Sequence, residues 1–204
     1  MKHSGESVIE GLSSAQRRLL EEFEALLLAA AVPRGLVATS DAARLRDRHI
    51  VDSLRVVPFL APGGSNLADL GSGAGLPGIP VAIARPDCPV TLIEAKARRV
   101  AFLELAIEEL GLANVRVLHE RAERATIGVD VVLARAIAPP LGSWELAAPN
   151  LAPAGALLYY AGRSWTSADA GGLEAVGVHW EICAPASFQW QGPIVRMARR
   201  TASP

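Results

Sequence analysis

The sequence predicts an α/β domain: a mainly parallel sheet with helices on both faces, preceded by a helical extension. Three observations predict it. From Asn66 to Tyr160, short apolar runs alternate with longer helical patterns, the signature of strand–helix–strand units. The first of those runs, Asn66-Leu67-Ala68-Asp69-Leu70, opens directly into a glycine-rich loop followed by a second apolar segment, so strand, loop and helix follow without a break. The first 60 residues carry helical periodicity instead.

Taken in order, residues 1–12 read as a loose tail. Ser13-Ser14-Ala15-Gln16 has the spacing of a capping box. Leu19, Leu20, Phe23, Leu26 and Leu27 follow at helical spacing, opposite Arg17, Arg18, Glu21, Glu22 and Glu24. This amphipathic helix is expected to end near Pro33-Arg34-Gly35. A second helix is expected from Ser40 or Asp41 to about Val57, closed by Pro58 and Ala61-Pro62-Gly63-Gly64. Residues 1–62 are thus assigned to a tail and helical cap, and 63–204 to the main domain. Within the latter, strands are expected at Asn66–Leu70, Pro89–Glu94, Val115–His119, Val129–Ala134 and Gly155–Tyr160. Helices are expected at Ile79–Ala84, Arg98–Leu110 (stopped by Gly111) and Leu141–Asn150. The remainder, to about Arg199, reads as a helix or loop and two further strands, seven in all.

Composition sets the bounds. With 204 residues, half of them apolar and a fifth charged, the chain suits one domain with a small extension. A net charge of −1 gives no global basic field and argues against wrapping a long nucleic-acid backbone, while leaving room for a local basic patch. The basic residues are nearly all arginine, with lysine only at positions 2 and 96. Cys88 and Cys183 form neither a CxxC pair nor a disulfide framework and are expected as free thiols in a reducing compartment. Met1 to Gly11 lacks the apolar core of a secretory signal, and no apolar run is long enough for a bilayer. The expected location is the cytoplasm.

The chemistry is concentrated in Asp69-Leu70-Gly71-Ser72-Gly73-Ala74-Gly75-Leu76-Pro77-Gly78. Glycines between a strand and a helix let the backbone turn sharply and let a ligand approach the main chain. Gly73 to Gly78 matches the dinucleotide pattern GxGxxG, which by itself is a weak signal. Two details favour S-adenosylmethionine over NAD. Asp69, two residues before Gly71, suits a cationic amino group and would repel a pyrophosphate. Pro77 removes an N–H where a phosphate would need one. Glu94, 23 residues after Gly71, can accept ribose hydroxyls from either cofactor. Ala122 and Glu123, just past the third strand, fall where an adenine edge would lie.

Several of these segments resemble the bacterial 16S ribosomal RNA guanine-N7 methyltransferases of the glucose-inhibited division B (RsmG) type. The resemblance rests on Arg48-His49-Ile50-Val51-Asp52-Ser53, on Asp69 through Gly78 continued by Ile79-Pro80, and on Arg85-Pro86-Asp87. It extends through Arg98-Arg99-Val100-Ala101-Phe102-Leu103 and Arg121-Ala122-Glu123 to Ala134-Arg135-Ala136. It covers roughly residues 45–140 well and the flanks loosely. It implies a Rossmann-like class I S-adenosylmethionine-dependent methyltransferase sheet with an N-terminal helical extension. Gly71 and Leu76 would contact the cofactor from the glycine loop, Ala122 and Glu123 would sit at the adenine, and with Arg135 they join Asp69, Gly73, Gly75 and Glu94 as the expected cofactor-binding residues. Arg135 would line the junction of cofactor and substrate, and Arg121 would face the RNA, both as catalytic residues. The implied partner is 16S rRNA in the small ribosomal subunit, met by a monomer without metal or membrane.

The implied reaction is chemically economical. Guanine N7 has a free in-plane lone pair and no hydrogen, so its methylation needs no general base, only positioning and electrostatics. Arginine suits that task because it can fork onto a guanine edge or a phosphate. The Asn-Pro-Pro-aromatic motif of exocyclic-amine methyltransferases is absent at the fourth strand, where Ala134-Arg135-Ala136 stands. A methyltransferase of the same kind acting on a small molecule is the alternative. His49, Asp52 and Ser53 are triad residue types at helical spacing, which builds no oriented relay; a packing and hydrogen-bonding role between cap and core is expected. Arg44, Arg46 and Arg48 read as a solvated basic face or an RNA contact, and Trp144, Trp165, Trp180 and Trp190 as core or as base-stacking groups. The chain departs from the family pattern in three places. Val32–Ala38, including Gly35, lacks the family's asparagines. Ala161 replaces a lysine, with Arg163 as a stand-in. Gly192-Pro193 lacks an arginine unless Arg196 replaces it.

Overall fold

The computed structural model describes residues 5–186, 188 and 191–200. Seven strands form one sheet: β1 (Leu67–Leu70), β2 (Val90–Glu94), β3 (Val115–His119), β4 (Val129–Arg135), β5 (Leu151–Tyr160), β6 (Val178–Ala184) and β7 (Ile194–Arg199). Their order is β3-β2-β1-β4-β5-β7-β6. Strands β1 to β5 are parallel, and β7 runs antiparallel to both β5 and β6. The order reverses between β1 and β4, and a crevice at such a switch point, outside the carboxyl ends of the strands, is where open α/β sheets bind ligands. The register aligns those ends: Leu70 pairs with Ile93 and Ala134, Glu94 with His119, and Arg135 with Tyr160.

Helices cover both faces. Every residue of β1 and β2 is buried, which explains why those strands read as continuous apolar runs. One face packs against α2 (Ser14–Leu26), α3 (Gly78–Ala84) and α4 (Ala97–Leu110), with Phe23, Leu27, Ile79, Leu92, Leu103, Leu133 and Leu158 in one core. The other packs against α5 (Pro140–Ala147) and α6 (Gly171–Ala175), with Leu70, Ile93, Ala134, Trp144, Leu157 and Met197. The Ser13 capping box is present, with Ser13 Oγ accepting the Gln16 N–H at 3.2 Å and Gln16 Oε1 accepting the Ser13 N–H at 3.0 Å. Gly111 ends α4 in the left-handed conformation, at φ 62°.

Three expectations are corrected. The tail expected in residues 1–12 includes a helix, α1 (Gly5–Gly11). It is held by tertiary contact: Val8 and Ile9 pack on the core, and Gly5 lies so close to the Val51 backbone that a Cβ would sit 1.8 Å from the Val51 carbonyl oxygen. The single helix expected over 40–57 is instead three unlike turns in succession. A 3₁₀ stretch (Thr39–Arg44) leads to a wide π-type turn (Arg46–Val51) and a second 3₁₀ stretch (Leu54–Phe59). Strand β5 starts at Leu151, four residues before the expected Gly155, and its pairing with β4 is irregular between Val129 and Val131.

Candidate active site

Gly71, Gly73 and Gly75 all adopt positive φ, at 68°, 60° and 83°. A Cβ on Gly75 would also sit 2.4 Å from Ile79 Cδ1, so neither the turn nor the packing tolerates a side chain there. The amides of Gly71 and Ser72 both donate to the Ile93 carbonyl, at 2.8 and 3.1 Å, and tie the start of the loop to β2.

Beneath the loop lies Asp69, 1% exposed. Its Oδ2 accepts the Gly78 N–H at 3.0 Å, while its buried Oδ1 has no partner. Burial pushes the carboxyl up to about 7, with the Gly78 bond and the Arg135 cation only partly offsetting it. A half-satisfied carboxylate at this position is costly by itself and suits a cationic ammonium. The amino end of S-adenosylmethionine therefore fits the residues present.

Glu94 closes β2 and is 4% exposed. Its Oε2 accepts the Gly73 N–H at 3.0 Å and faces Arg99 Nη1 at 3.4 Å, and its Oε1 accepts the Lys96 N–H at 2.9 Å. Glu94 thus braces the glycine loop against the start of α4, a task the sequence reading did not anticipate. Lone pairs remain on it for a ligand hydroxyl. It lines a cavity of about 330 Å³ together with Gly71, Arg121, Ala122, Glu123 and Ile137. Asp69, Gly73, Gly75 and Leu76 do not line that cavity; the last three build the loop beside it, and Asp69 lies in β1.

A second cavity, of about 370 Å³, holds His49, Asp52, Arg55, Arg135, Tyr160 and Arg163. Ala136 lines both cavities and stands between them. Its φ of 54° makes it the one non-glycine residue with positive φ among the described residues, and strain of this kind concentrates at functional sites. The two arginines expected to be catalytic are not brought together: Arg135 lines the second cavity, and exposed Arg121 lines the first.

Arg135 is held by the Arg48–Ser53 segment. Its Nη1 lies 3.7 Å from Asp52 Oδ2 and its Nη2 3.5 Å from His49 Nδ1. Asp52 Oδ1 accepts from Arg55 Nη1 at 2.9 Å. Arg55, 2% exposed, also donates to the carbonyls of Gly192, Pro185 and Ala184 at 3.0, 2.9 and 3.3 Å. Tyr160 donates its hydroxyl to the Ser53 carbonyl. These bonds tie the helical segment to β4, β5 and the end of β6. Arg55 was missed in the sequence; its one local signal is the helical spacing from Asp52, since its other partners lie about 130 residues away.

The remaining candidates fall elsewhere. Arg46 pairs with Glu24 at 3.2 Å and Arg48 with Asp41 at 2.7 Å. Trp144 is buried on the inner face of α5, and Trp165 packs tilted against Tyr159 and edgewise against Trp180, with ring centroids 6.1 and 6.2 Å away. Trp190 lies outside the described residues. Arg163 lines the Arg135 cavity, whereas Arg196 pairs with Glu181 at 3.4 Å and lines a different groove with Pro153 and Arg199. Arg196 therefore does not replace an arginine beside Gly192. Among the described residues, no group of three or more His, Cys, Asp or Glu side chains is placed to hold a metal, and no helix is long and apolar enough to cross a membrane.

The fold has counterparts among solved structures. A solved S-adenosylmethionine-dependent methyltransferase from Aquifex aeolicus superposes with a TM-score of 0.63 at 18% identity, over 81% of this chain and 97% of that one. TYW2 of M. jannaschii, solved in complex with AdoMet, superposes with a TM-score of 0.57 at 15% identity, over 75% and 77%. The fold is that of the class I S-adenosylmethionine-dependent methyltransferases. Sequence relatives are nearer. The ribosomal RNA small subunit methyltransferase G of Acidiphilium cryptum is 45% identical over 168 residues, 81% of this chain and 75% of the relative. That of Thermobifida fusca is 45% identical over 158 residues, 76% of this chain and 63% of the relative, so the match spans less than two thirds of the latter's length. Residues 16–170, which hold the Arg48–Ser53 segment, the glycine loop and Arg135, match the GidB family model, described as rRNA small subunit methyltransferase G, and the chain belongs to that family.

Proposed function

We propose that this protein transfers the methyl group of S-adenosylmethionine to N7 of a guanine in the 16S rRNA of the small ribosomal subunit. The observation that carries the proposal is the meeting of two cavities at Ala136. One is bordered by the glycine loop and Glu94, and the other holds Arg135. A cofactor and a substrate filling the two cavities would meet at that residue.

The cofactor supplies an electrophilic methyl on a sulfonium. The protein's residues do the rest. Asp69 accepts the ammonium group, and the backbone of Gly71 to Leu76 cradles the methionine portion. Glu94 accepts ribose hydroxyls, and the main chain at Ala122 and Glu123 reads the adenine. Arg135 orients the guanosine through its O6 edge or its phosphate, leaving N7 free for attack. Arg121, exposed at the rim of the cofactor cavity, contacts the RNA backbone. No side chain has to remove a proton, because N7 carries none. Residues 1–62 act as a cap on the catalytic domain of residues 63–204, and the protein works as a monomer in the cytoplasm.

The test is methyl incorporation from labelled S-adenosylmethionine, with small ribosomal subunits, free 16S rRNA and ribosomal protein as separate acceptors. The proposal expects label in RNA. Label in protein alone, or in none of these despite cofactor binding, rejects it.

A further inference from the structure

His49 sits between two charged groups. Its Nε2 lies 3.3 Å from Asp41 Oδ2, and its Nδ1 lies 3.5 Å from Arg135 Nη2. A guanidinium only donates, so Nδ1 must be the lone-pair nitrogen and Nε2 must carry the proton given to Asp41. The neighbours thereby fix both the tautomer and the charge of the ring. Asp52, three residues on, holds the other arm of the Arg135 guanidinium and is itself anchored by Arg55.

We infer that neutral His49 is a positioning residue that aims Arg135 at the substrate, so that protonating this single imidazole disarms the site. A proton on Nδ1 removes the acceptor and sets an imidazolium against a guanidinium. The charged and titratable groups around the ring come from several elements. Asp41 faces it from the Thr39–Arg44 stretch, Arg48 and Asp52 from its own segment, and Arg135 from β4. Arg55, Tyr160 and Arg163 line the same cavity. Burial, Arg135 and Arg48 favour the neutral ring and Asp41 opposes them, and His49 titrates below the ordinary histidine range. The inference rests on the methyl-transfer reading for its consequence, though not for its geometry.

Two experiments test it. The first is a side-chain NMR titration of the histidines in the free protein. Arg135→Ala is expected to raise the His49 titration point, since a cation is removed, and Asp41→Asn to lower it. An unchanged titration in Arg135→Ala overturns the coupling. The second is the transfer rate at saturating cofactor from pH 5 to 8, which removes cofactor affinity from the readout. The wild-type rate is expected to fall about tenfold per pH unit below the His49 titration point. Asp41→Asn should move this limb to lower pH. His49→Asn, whose Oδ1 can accept from Arg135 without titrating, should lose the limb while keeping measurable turnover. A limb that persists in His49→Asn overturns the inference alone. Intact NMR coupling with no transfer to any RNA instead locates the failure in the proposed function.

Discussion

Asp69 offers the sharpest quantitative prediction. Its carboxyl is raised from 3.8 to about 7, chiefly by burial. If the ionised form is what accepts the cofactor's ammonium, apparent affinity is reduced by the fraction of protein in which Asp69 is protonated. One unit below the titration point, near pH 6, the loss is about tenfold, and near pH 5 about 100-fold. The assay is calorimetric titration with S-adenosylhomocysteine, which keeps the ammonium and cannot turn over, from pH 5 to 8.5. Asp69→Asn should bind more weakly than wild type at pH 8 and show no such pH dependence. The same shift has a stability side. The folded carboxyl keeps a proton that the unfolded chain has released, so its contribution is present below about pH 4 and lost as pH rises to about 7. The shift of about three units corresponds to about 4 kcal/mol. Urea unfolding of the ligand-free protein should show Asp69→Asn gaining on wild type through that window and no further above it. Wild-type affinity that is flat from pH 5 to 8, or an Asp69→Asn protein with unchanged affinity, refutes the reasoning.

Three other perturbations have definite expectations. Arg135→Ala should lower the transfer rate by about 10²–10³ while leaving S-adenosylhomocysteine affinity at about pH 8.5, where Asp69 is ionised, within a fewfold, because Arg135 does not line the cofactor cavity; turnover near wild type would reject the role given to Arg135. Gly75→Ala forces a Cβ at φ 83° to within 2.4 Å of Ile79, and should cost about 2 kcal/mol or more in urea unfolding together with cofactor binding. Phe23→Ala empties a fully buried site shared by α2 and the sheet. It should cost about 3–5 kcal/mol, and a loss under 1 kcal/mol would mean that the helical extension is not part of the core.

What the sequence revealed, and what it hid, divides by the range of the interactions. The Ser13–Gln16 cap, the Gly111 stop and β3 are set by neighbours in the chain, and the structure has them at the expected residues. The glycine loop was legible for the same reason, since positive φ and close packing demand glycine locally. Helix α1 was not, because a seven-residue helix depends on contacts such as Gly5 against Val51. The segment broken into unlike turns over 39–59 is pinned by long-range bonds, with Arg55 reaching Pro185 and Gly192, and Tyr160 reaching Ser53. Periodicity cannot register such partners and so predicted one regular helix. The separation of Arg121 from Arg135 was hidden in the same way. Arg121 follows β3 and Arg135 closes β4, but these two strands are divided by β2 and β1 in the sheet. Glu94 was assigned to a ligand because strand-end position was visible, whereas its bond to Gly73 needed the folded loop.

The central claim concerns one atom, and nucleoside analysis reads that atom directly. Small subunits lacking N7 methylation would be treated with the protein and S-adenosylmethionine, the 16S rRNA digested, and its nucleosides separated by chromatography with mass detection. The account expects 7-methylguanosine to rise toward one equivalent per subunit with wild type and to stay at background with Arg135→Ala. A methyl group on any other atom, or none on RNA from a protein that binds S-adenosylhomocysteine, would contradict it.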